Sequence, residues 1–381
     1  MKRSTDRILT THVGSLPRPP DLIDLIVKEL HGETVDPALM EPRVRSAVKE
    51  LVDRQTSIGI DVVSDGEAGK PGFSSYIINR YSGFGGEAVS GTPTDIVEFP
   101  DVRKRTSAGL DTRSRLLLEC VGPIKLKSSE ALDRDLENLT AALGGRNKDD
   151  AFIPAVTPGQ ITFNFPNKYY PSHEAYLHAT AEAMRSEYEA IVNAGFTLQL
   201  DAPDMALSAH LRWGEQRDWP DFKTHLKMSV EAVNMAVANI PADKMRLHIC
   251  WGNYIGPHHH DMPLRDILPE VLKAKPAGLS IEAANPRHEH EWEVFKDIKL
   301  PDGKFLVPGV VDTKNHHIEH PRLIAQRLTR FANVVGRENV MAGSDCGFST
   351  WAGMSLIDPG VVWAKLAAMV EGARIASKEL W

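Results

Sequence analysis

Two cysteines and a histidine are the residues of this sequence best suited to chemistry, because together they could hold one metal ion. His248 and Cys250 stand two positions apart in the apolar run 245–251, and Cys346 lies much later in the chain. If 245–251 is a strand, alternation places His248 and Cys250 on the same face. Thiolates and imidazole suit zinc. The spacing is neither CxxC nor HExxH, so a small buried thiol beside a core histidine remains an equal interpretation.

Composition and charge limit the kinds of partner. The chain has 381 residues, of which 42% are hydrophobic and 25% charged, enough to build a large apolar core. A net charge of −7 argues against nucleic acid and anionic membranes, which require basic surfaces. No apolar stretch resembles a signal peptide or spans a bilayer, and three cysteines are too few for a disulfide framework. We expect a cytoplasmic protein with small-molecule partners; the oligomeric state stays open, a homo-oligomer included.

Short apolar segments alternate with longer helical patterns along the chain. Such alternation indicates βαβ units around a parallel sheet. Apolar residues recurring every three or four positions predict helices at 173–194, 222–238, 321–335 and 359–378. Strands are predicted at 8–13, 60–64, 120–126, 152–156, 196–201, 245–251, 278–282, 305–312 and 340–344.

These elements predict an α/β fold, a single (β/α)8 TIM barrel formed by residues 1–381. Nine strands are one more than a barrel needs, so segment 120–126 or a partner before it is expected to form an accessory hairpin. The Gly-, Thr- and charge-rich region 83–118 is predicted to be an insertion that passes over the barrel.

Many of the predicted strands end in polar residues with chemical potential. In a TIM barrel the carboxyl ends of the strands form the active-site mouth, so these side chains are expected to converge. Their convergence favours the metal interpretation of the cysteines. The residues are His12, Glu67, Asp201, His248, Cys250, Glu282, Asp312 and Cys346.

Seven ordered motifs resemble the catalytic barrel of the cobalamin-independent methionine synthase family, in a short form without the amino-terminal half of the long synthases. They are Thr-Thr-His-Val-Gly-Ser at 10–15, Ser-Asp-Gly-Glu at 64–67, Gln-Leu-Asp-Ala-Pro at 199–203, His-Ile-Cys at 248–250, Ser-Ile-Glu at 280–282, Val-Pro-Gly-Val-Val-Asp at 307–312 and Asp-Cys-Gly-Phe at 345–348. The resemblance implies one Zn²⁺ ion with four ligands, of which the carboxylate is displaced when a substrate sulfur enters. Those ligands are His248, Cys250, Glu282 and Cys346.

The resemblance also implies which thiol is bound. Glu67 and Asp201 match the residues that face the ammonium group of homocysteine, and Ser15 matches the residue that faces its carboxylate. Without the resemblance, Asp201 is also suited to cap a helix, and Glu67 to pair with Lys70. The three residues together favour an amino-acid thiol.

Departures from the family are concentrated on the side of the methyl donor. Ala202 replaces a glutamate of the family, and the segment 162–165, which ends in Phe165, lacks its tryptophan. Lys314 stands where the family has a histidine proposed to carry a proton. A donor other than polyglutamated methylfolate is therefore expected.

Several residues are candidates for a catalytic acid near the barrel mouth. His12 lies at the first strand end, and Asp312, Lys314 and His316 follow the strand at 305–312. The loop histidines are equally suited to a solvated surface. Trp251, next to the predicted metal strand, is expected to form a substrate-binding wall or to pack at the rim.

The expected function is zinc-dependent methyl transfer to an activated thiol such as homocysteine, forming methionine. Zinc deprotonates a bound thiol, whose thiolate is the nucleophile. The alternative is an enzyme like the related epoxyalkane:coenzyme M transferases, which joins a zinc-bound thiolate to an epoxide. Its anionic thiol would need Arg18 or Lys70, and Glu67 and Asp201 argue against it. A third, non-enzymatic hypothesis is a protein that only holds or senses zinc. Such a protein needs metal ligands and little else, so the polar residues at many other strand ends argue against it.

Overall fold

The computed structural model describes residues 1–89, 91–106, 108, 110–212 and 221–381. Within these ranges the strands are β1 (Leu9–Thr10), β2 (Val63–Ser64), β3 (Phe84–Gly85), β4 (Thr92–Pro93), β5 (Glu119–Cys120), β6 (Ala151–Val156), β7 (Thr197–Asp201), β8 (Leu211–Arg212), β9 (Met245–His248), β10 (Gly278–Ile281), β11 (Phe305–Val311) and β12 (Met341–Ser344).

Eight of these strands form one parallel sheet in the order β1-β12-β11-β10-β9-β7-β6-β2. The two ends of the sheet are joined, because the backbone N–H groups of Asp61 and Val62 donate to the carbonyl of Thr10 at 3.1 and 3.0 Å. All residues of β6, β7 and β9 to β12 are buried, as expected for parallel strands covered on both faces. The predicted (β/α)8 barrel is confirmed.

Helices surround the sheet: α1 (Pro20–Leu30), α2 (Pro37–Ser57), α3 (Ile77–Arg80), α4 (Thr94–Glu98), α5 (Pro100–Thr106), α6 (Glu130–Ala142), α7 (Pro158–Asn164), α8 (His173–Asn193), α9 (Asp204–Leu207), α10 (Phe222–Ala236), α11 (Leu264–Val271), α12 (Val294–Asp297), α13 (Pro321–Val335) and α14 (Pro359–Leu380). The four helices predicted from periodicity correspond to α8, α10, α13 and α14. Their first turns are capped by side chains, as Ser172 shows by accepting from Ala175 N at 3.1 Å. Short 3-10 turns cover Lys148–Asp150, Ala242–Lys244, Glu289–Glu293 and Arg337–Asn339.

Two antiparallel pairs lie outside the barrel sheet. β3 pairs with β5, which confirms the accessory hairpin expected around residue 120. β4 pairs with β8, so the region 83–118 is tied to the chain that follows β7. Among the described residues, no helix has the length and apolarity required to cross a bilayer.

Candidate metal centre and substrate cavity

The predicted soft ligands meet at the carboxyl ends of two barrel strands. His248 ends β9, Cys250 follows it by two residues, and Cys346 follows β12 by two residues. All three residues are buried, and their ligand atoms lie within 4.8 Å of one another. The two Sγ atoms are 3.8 Å apart. Alternation along the β9 strand direction therefore points His248 and Cys250 to one place, and the barrel brings Cys346 there.

The chemistry of this trio fits a zinc ion. Tetrahedral coordination with Zn–S bonds of about 2.3 Å places two sulfurs about 3.8 Å apart, in agreement with the separation of Cys250 and Cys346. Neither ring nitrogen of His248 has an oxygen or nitrogen partner among the described residues, and the ring interacts with the Cys250 sulfur. The adjacent Cys346 sulfur and burial raise the pKa of the Cys250 thiol well above its ordinary value. A bound zinc ion would lower this pKa again and keep Cys250 as the thiolate that coordinates it.

The fourth predicted ligand, Glu282, lies outside the trio. Its Oε1 accepts a hydrogen bond from Trp251 N at 2.8 Å, and its Oε2 accepts from Asn285 Nδ2 at 2.7 Å and from Lys314 Nζ at 2.5 Å. Burial alone would raise the pKa of Glu282, but the Lys314 ammonium holds it below its ordinary value. The carboxylate is thus charged and held by three donors. Its role as a zinc ligand stays a prediction.

A cavity of about 310 Å³ opens beside the trio. Its inner end is lined by the trio and by the three residues predicted to hold an amino-acid thiol, Ser15, Glu67 and Asp201. Phe165, predicted on the donor side, also lines it and packs on Phe84 with ring centroids 4.6 Å apart. The volume is at the lower end of the range for small-molecule sites.

Ser15 is fixed by the loop that carries Cys346. The Ser15 carbonyl accepts from Phe348 N at 2.9 Å, and its Oγ accepts from Ser349 N at 3.3 Å. A Cβ added to Gly347 would lie 2.1 Å from Ser15 Oγ. Only glycine allows this close approach, which brings Ser15 next to a predicted zinc ligand.

Glu67 carries an unsatisfied oxygen at the inner end of the cavity. The residue follows Gly66 in a left-handed turn, with φ of 56° at Glu67 itself. Its Oε2 is buried without a hydrogen-bond partner among the described residues, and Arg18 Nη2, at 4.0 Å, is beyond hydrogen-bond distance. Burial, and to a smaller extent the Asp201 carboxylate, raises the pKa of Glu67 to about 7. A cation placed between Glu67 and Asp201 would relieve both effects.

Asp201 ends β7 and completes the acidic inner end. Gln199 Nε2 donates to Asp201 Oδ1 at 2.8 Å, and Gln199 is itself held by Arg246 Nε at 2.7 Å. Burial raises the pKa of Asp201 to about 6. The two buried carboxylates lie beside the trio of sulfur and imidazole ligands, and this combination suits a ligand that has both an ammonium group and a thiol.

His12 and Trp251, both predicted at the site, are not among the described residues that line the cavity. Val13, the neighbour of His12, lines the cavity. Because successive side chains of an extended chain point to opposite sides, His12 points away from the cavity, and its Nε2 lies 2.8 Å from Gln55 Oε1. Trp251 is buried with its Nε1 donating to Met262 O at 2.6 Å. The part of Trp251 that contacts a predicted site residue is its backbone N–H, which donates to Glu282 Oε1. The catalytic role of His12 stays a prediction.

The remaining predicted catalytic residues follow β11. The Asp312 carboxylate accepts from the backbone N–H of Lys314 at 2.8 Å and from Asn315 Nδ2. His316 Nε2 accepts from Asp358 N at 3.2 Å, at the amino end of α14. Neither Asp312 nor His316 is among the described residues that line the cavity. Lys314 reaches inward through its side chain and binds Glu282.

The outer wall of the cavity is predicted only in part by the sequence, which places the 83–118 region over the barrel but does not show which of its residues face the cavity. It is built largely by the 83–118 region and by aromatic residues of α7 and of two loops, and it places Arg115 near the Trp351 ring, 5.5 Å from its centroid. The sequence signal was weak, since the region has little periodicity. The residues concerned include Ile96, Leu110, Arg115, Leu116, Leu117, Phe163, Tyr254 and Trp351.

The chain is similar over most of its length to archaeal proteins named methionine synthase. It is 25% identical over 373 residues to the protein of Thermococcus kodakarensis, covering 97% of this chain and 94% of that relative. It is also 25% identical over 377 residues to the protein of Saccharolobus solfataricus, covering 97% and 95%.

Solved structures share the fold. A B12-independent methionine synthase from Shewanella sp. superposes with a TM-score of 0.73 at 19% identity, covering 98% of this chain and 99% of that one. A putative B12-independent methionine synthase from Listeria monocytogenes gives a TM-score of 0.66 at 19% identity, covering 99% of each.

The family described as "Cobalamin-independent synthase, Catalytic domain" matches residues 8–84 and 161–374, more than half of the chain. The trio of predicted metal ligands and the residues predicted to hold the thiol all lie in the matched ranges, whereas most of the 83–118 region does not. The chain therefore belongs to the family of cobalamin-independent methionine synthase catalytic domains.

Proposed function

We propose that this protein is a zinc-dependent methyltransferase that methylates homocysteine or a closely similar amino-acid thiol. The single observation that carries the proposal is that the buried trio His248, Cys250 and Cys346 opens into the same cavity as the carboxylates of Glu67 and Asp201. The archaeal relatives named methionine synthase support the same reaction. The donor we propose is one other than polyglutamated methylfolate.

The trio would hold the zinc ion, which when bound supplies the charge that keeps an acceptor thiol deprotonated and nucleophilic at neutral pH. The residues of the chain bind the rest of the acceptor. Glu67 and Asp201 contact its ammonium group, and Ser15 together with backbone amides of its turn contacts its carboxylate. Anchoring both groups directs the sulfur toward the trio and so reduces the entropy lost in the reaction.

Methyl transfer requires little further chemistry from the protein. The acceptor sulfur forms a bond to the methyl carbon while the bond between that carbon and the donor breaks, and the electron pair leaves with the donor. The apolar residues of the outer wall, among them Ile96, Leu116 and Leu117, would limit the access of water to the reacting atoms. If the leaving group takes a proton, our candidates remain His12, Asp312, Lys314 and His316.

An epoxide-opening reaction on an anionic thiol has less support. Such a thiol requires a cation at the inner end of the cavity. Lys70 Nζ donates to Pro154 O at 2.6 Å, and Arg18 Nη1 donates to Ser349 O at 2.7 Å. Neither is among the described residues that line the cavity, whose inner carboxylates would repel a sulfonate.

The test is metal analysis followed by a donor screen with homocysteine as the acceptor. We expect one zinc per chain and methionine with at least one donor among methylfolate monoglutamate, methylcobalamin and S-methylmethionine. Cys250→Ser should lose zinc and activity together. The matched control Cys120→Ser, which changes the buried third cysteine, should keep both. Full zinc occupancy with no thioether product from any donor would overturn the proposal.

A further inference from the structure

We infer that Glu98, His259 and His260 bind a second zinc ion at the surface of the protein, where α4 meets the turn at 258–261. One ligand atom of each residue lies within 4.8 Å of those of the other two. The inference does not rest on the proposed methyl transfer, and it concerns none of the ligands predicted for the buried zinc ion.

The three side chains are arranged as one divalent ion requires. Glu98 Oε2 lies 2.9 Å from His259 Nε2, and Glu98 Oε1 lies 2.5 Å from His260 Nε2. The two imidazole rings have centroids 4.1 Å apart. Ligand atoms bound to a tetrahedral zinc ion at about 2.0–2.2 Å are about 3.3 Å from one another, so a small outward shift of the side chains places the ion between them.

The charges of the group favour a metal ion over ion pairs alone. Two protonated imidazole rings this close would repel each other, and the single carboxylate of Glu98 cannot neutralise both. Zinc instead binds both rings in the neutral form, and Glu98 neutralises part of its charge. The histidine side chains are 38% exposed and that of Glu98 is 49% exposed, so water can complete the coordination.

Contacts elsewhere in the turn and in α4 hold the two elements in this arrangement. Asp261 N donates to His258 O at 3.2 Å and closes the turn, which has the two histidine ligands at its central positions. The fully buried Asp95 of α4 accepts from His258 N at 2.7 Å. Arg287 Nη2 donates to the carbonyl of His259 at 3.1 Å. Because the backbone is already fixed, zinc has to order only three side chains.

A zinc ion at this place would stabilise the outer wall of the cavity. The helix α4 belongs to the 83–118 region, and its residue Ile96 lines the cavity, as does Tyr254 shortly before the turn. The ion would link these two segments through their side chains. Since it binds the folded chain, it should also raise the melting temperature.

The test is calorimetric titration of Zn²⁺ into protein dialysed against a weak chelator, which removes the surface ion and leaves the buried one. We expect the wild type to bind one further zinc ion per chain and to melt at a higher temperature. His259→Asn/His260→Asn should bind this ion at least tenfold more weakly, and asparagine is well tolerated in turns. The control His178→Asn/His290→Asn, which changes two exposed histidines elsewhere, should bind it like the wild type.

Glu98→Gln provides an independent variant, because it changes the carboxylate and leaves the turn intact. It should also weaken the second zinc ion at least tenfold. Failure of the wild type to bind a further ion, or unchanged affinity in His259→Asn/His260→Asn or in Glu98→Gln, would overturn the inference. The proposed function is tested separately, because Cys250→Ser, which removes a ligand of the buried ion, should still bind the surface ion.

Discussion

Replacing Glu67 by glutamine should stabilise the thiol-free protein and weaken its affinity for homocysteine. Burial and the Asp201 carboxylate raise the pKa of Glu67 from 4.5 to about 7. Between these values the folded protein binds more protons than the unfolded chain, so stability falls as pH rises. At about 1.4 kcal/mol per pKa unit, the ionised carboxylate costs about 3 kcal/mol above pH 7.

Glutamine removes this cost but leaves a buried amide whose unmet hydrogen bonds cost about 1–2 kcal/mol. The variant should therefore be about 1–2 kcal/mol more stable than the wild type at pH 8. At pH 4.5 the gain should vanish, because the wild-type carboxyl is then protonated in the folded protein. The lost hydrogen bond from the ammonium to a charged acceptor, worth about 1.5–3 kcal/mol, should weaken homocysteine binding by about tenfold to a hundredfold.

The free energy of unfolding is measured by urea denaturation of the zinc-loaded protein at pH 4.5 and pH 8, and homocysteine affinity by titration calorimetry. Glu187→Gln is the matched control. Glu187 is a buried carboxylate paired with Arg80 at 3.0 Å and Tyr76 at 2.9 Å, so its loss should destabilise by about 3 kcal/mol without affecting homocysteine. A Glu67→Gln variant that is less stable than the wild type at pH 8, or that binds homocysteine equally well, would refute the reasoning.

Asp201→Asn should raise the Kd for homocysteine at least tenfold in calorimetry while metal analysis still finds one zinc per chain; loss of zinc would contradict this division of roles. Gly347→Ala should lower both the melting temperature and homocysteine affinity, because the added Cβ would lie 2.1 Å from Ser15 Oγ; an unchanged Kd would show that Ser15 does not contact the homocysteine carboxylate. Burial lowers the pKa of His288, but hydrogen bonds to Asp261 and Glu291 outweigh burial and raise this pKa to about 9. The corresponding stability, about 3 kcal/mol, is fully present below pH 6.5 and should be lost as pH rises through 9. Urea curves of Asp261→Asn should show a smaller dependence, because only the contact of His288 with Glu291 remains; an unchanged dependence would contradict the role given to Asp261.

The barrel could be predicted because its signals are local. Each buried strand is a short apolar segment followed by a polar residue, and each long helix repeats its apolar positions. The same locality explains why His248 and Cys250 could be placed together, since one strand carries both. Cys346 could be added only by assuming that strand ends converge, which the closed sheet bears out.

What sequence patterns could not show depends on pairing between distant segments. The pairing of β4 with β8 joins two-residue strands that have no periodic signal. His12 was expected at the mouth from its position at a strand end, but a shift of one residue along an alternating strand turns a side chain to the opposite face. The contact between Lys314 and Glu282 joins two different barrel strands, and only the folded chain brings these charges together.

X-ray absorption at the zinc edge tests the central claim most directly, because it counts the sulfur atoms bound to zinc before and after homocysteine is added. The account predicts two sulfurs, from Cys250 and Cys346, in the free protein and three in the presence of homocysteine. A count that stays at two with saturating homocysteine would contradict the claim that this zinc site activates the substrate thiol.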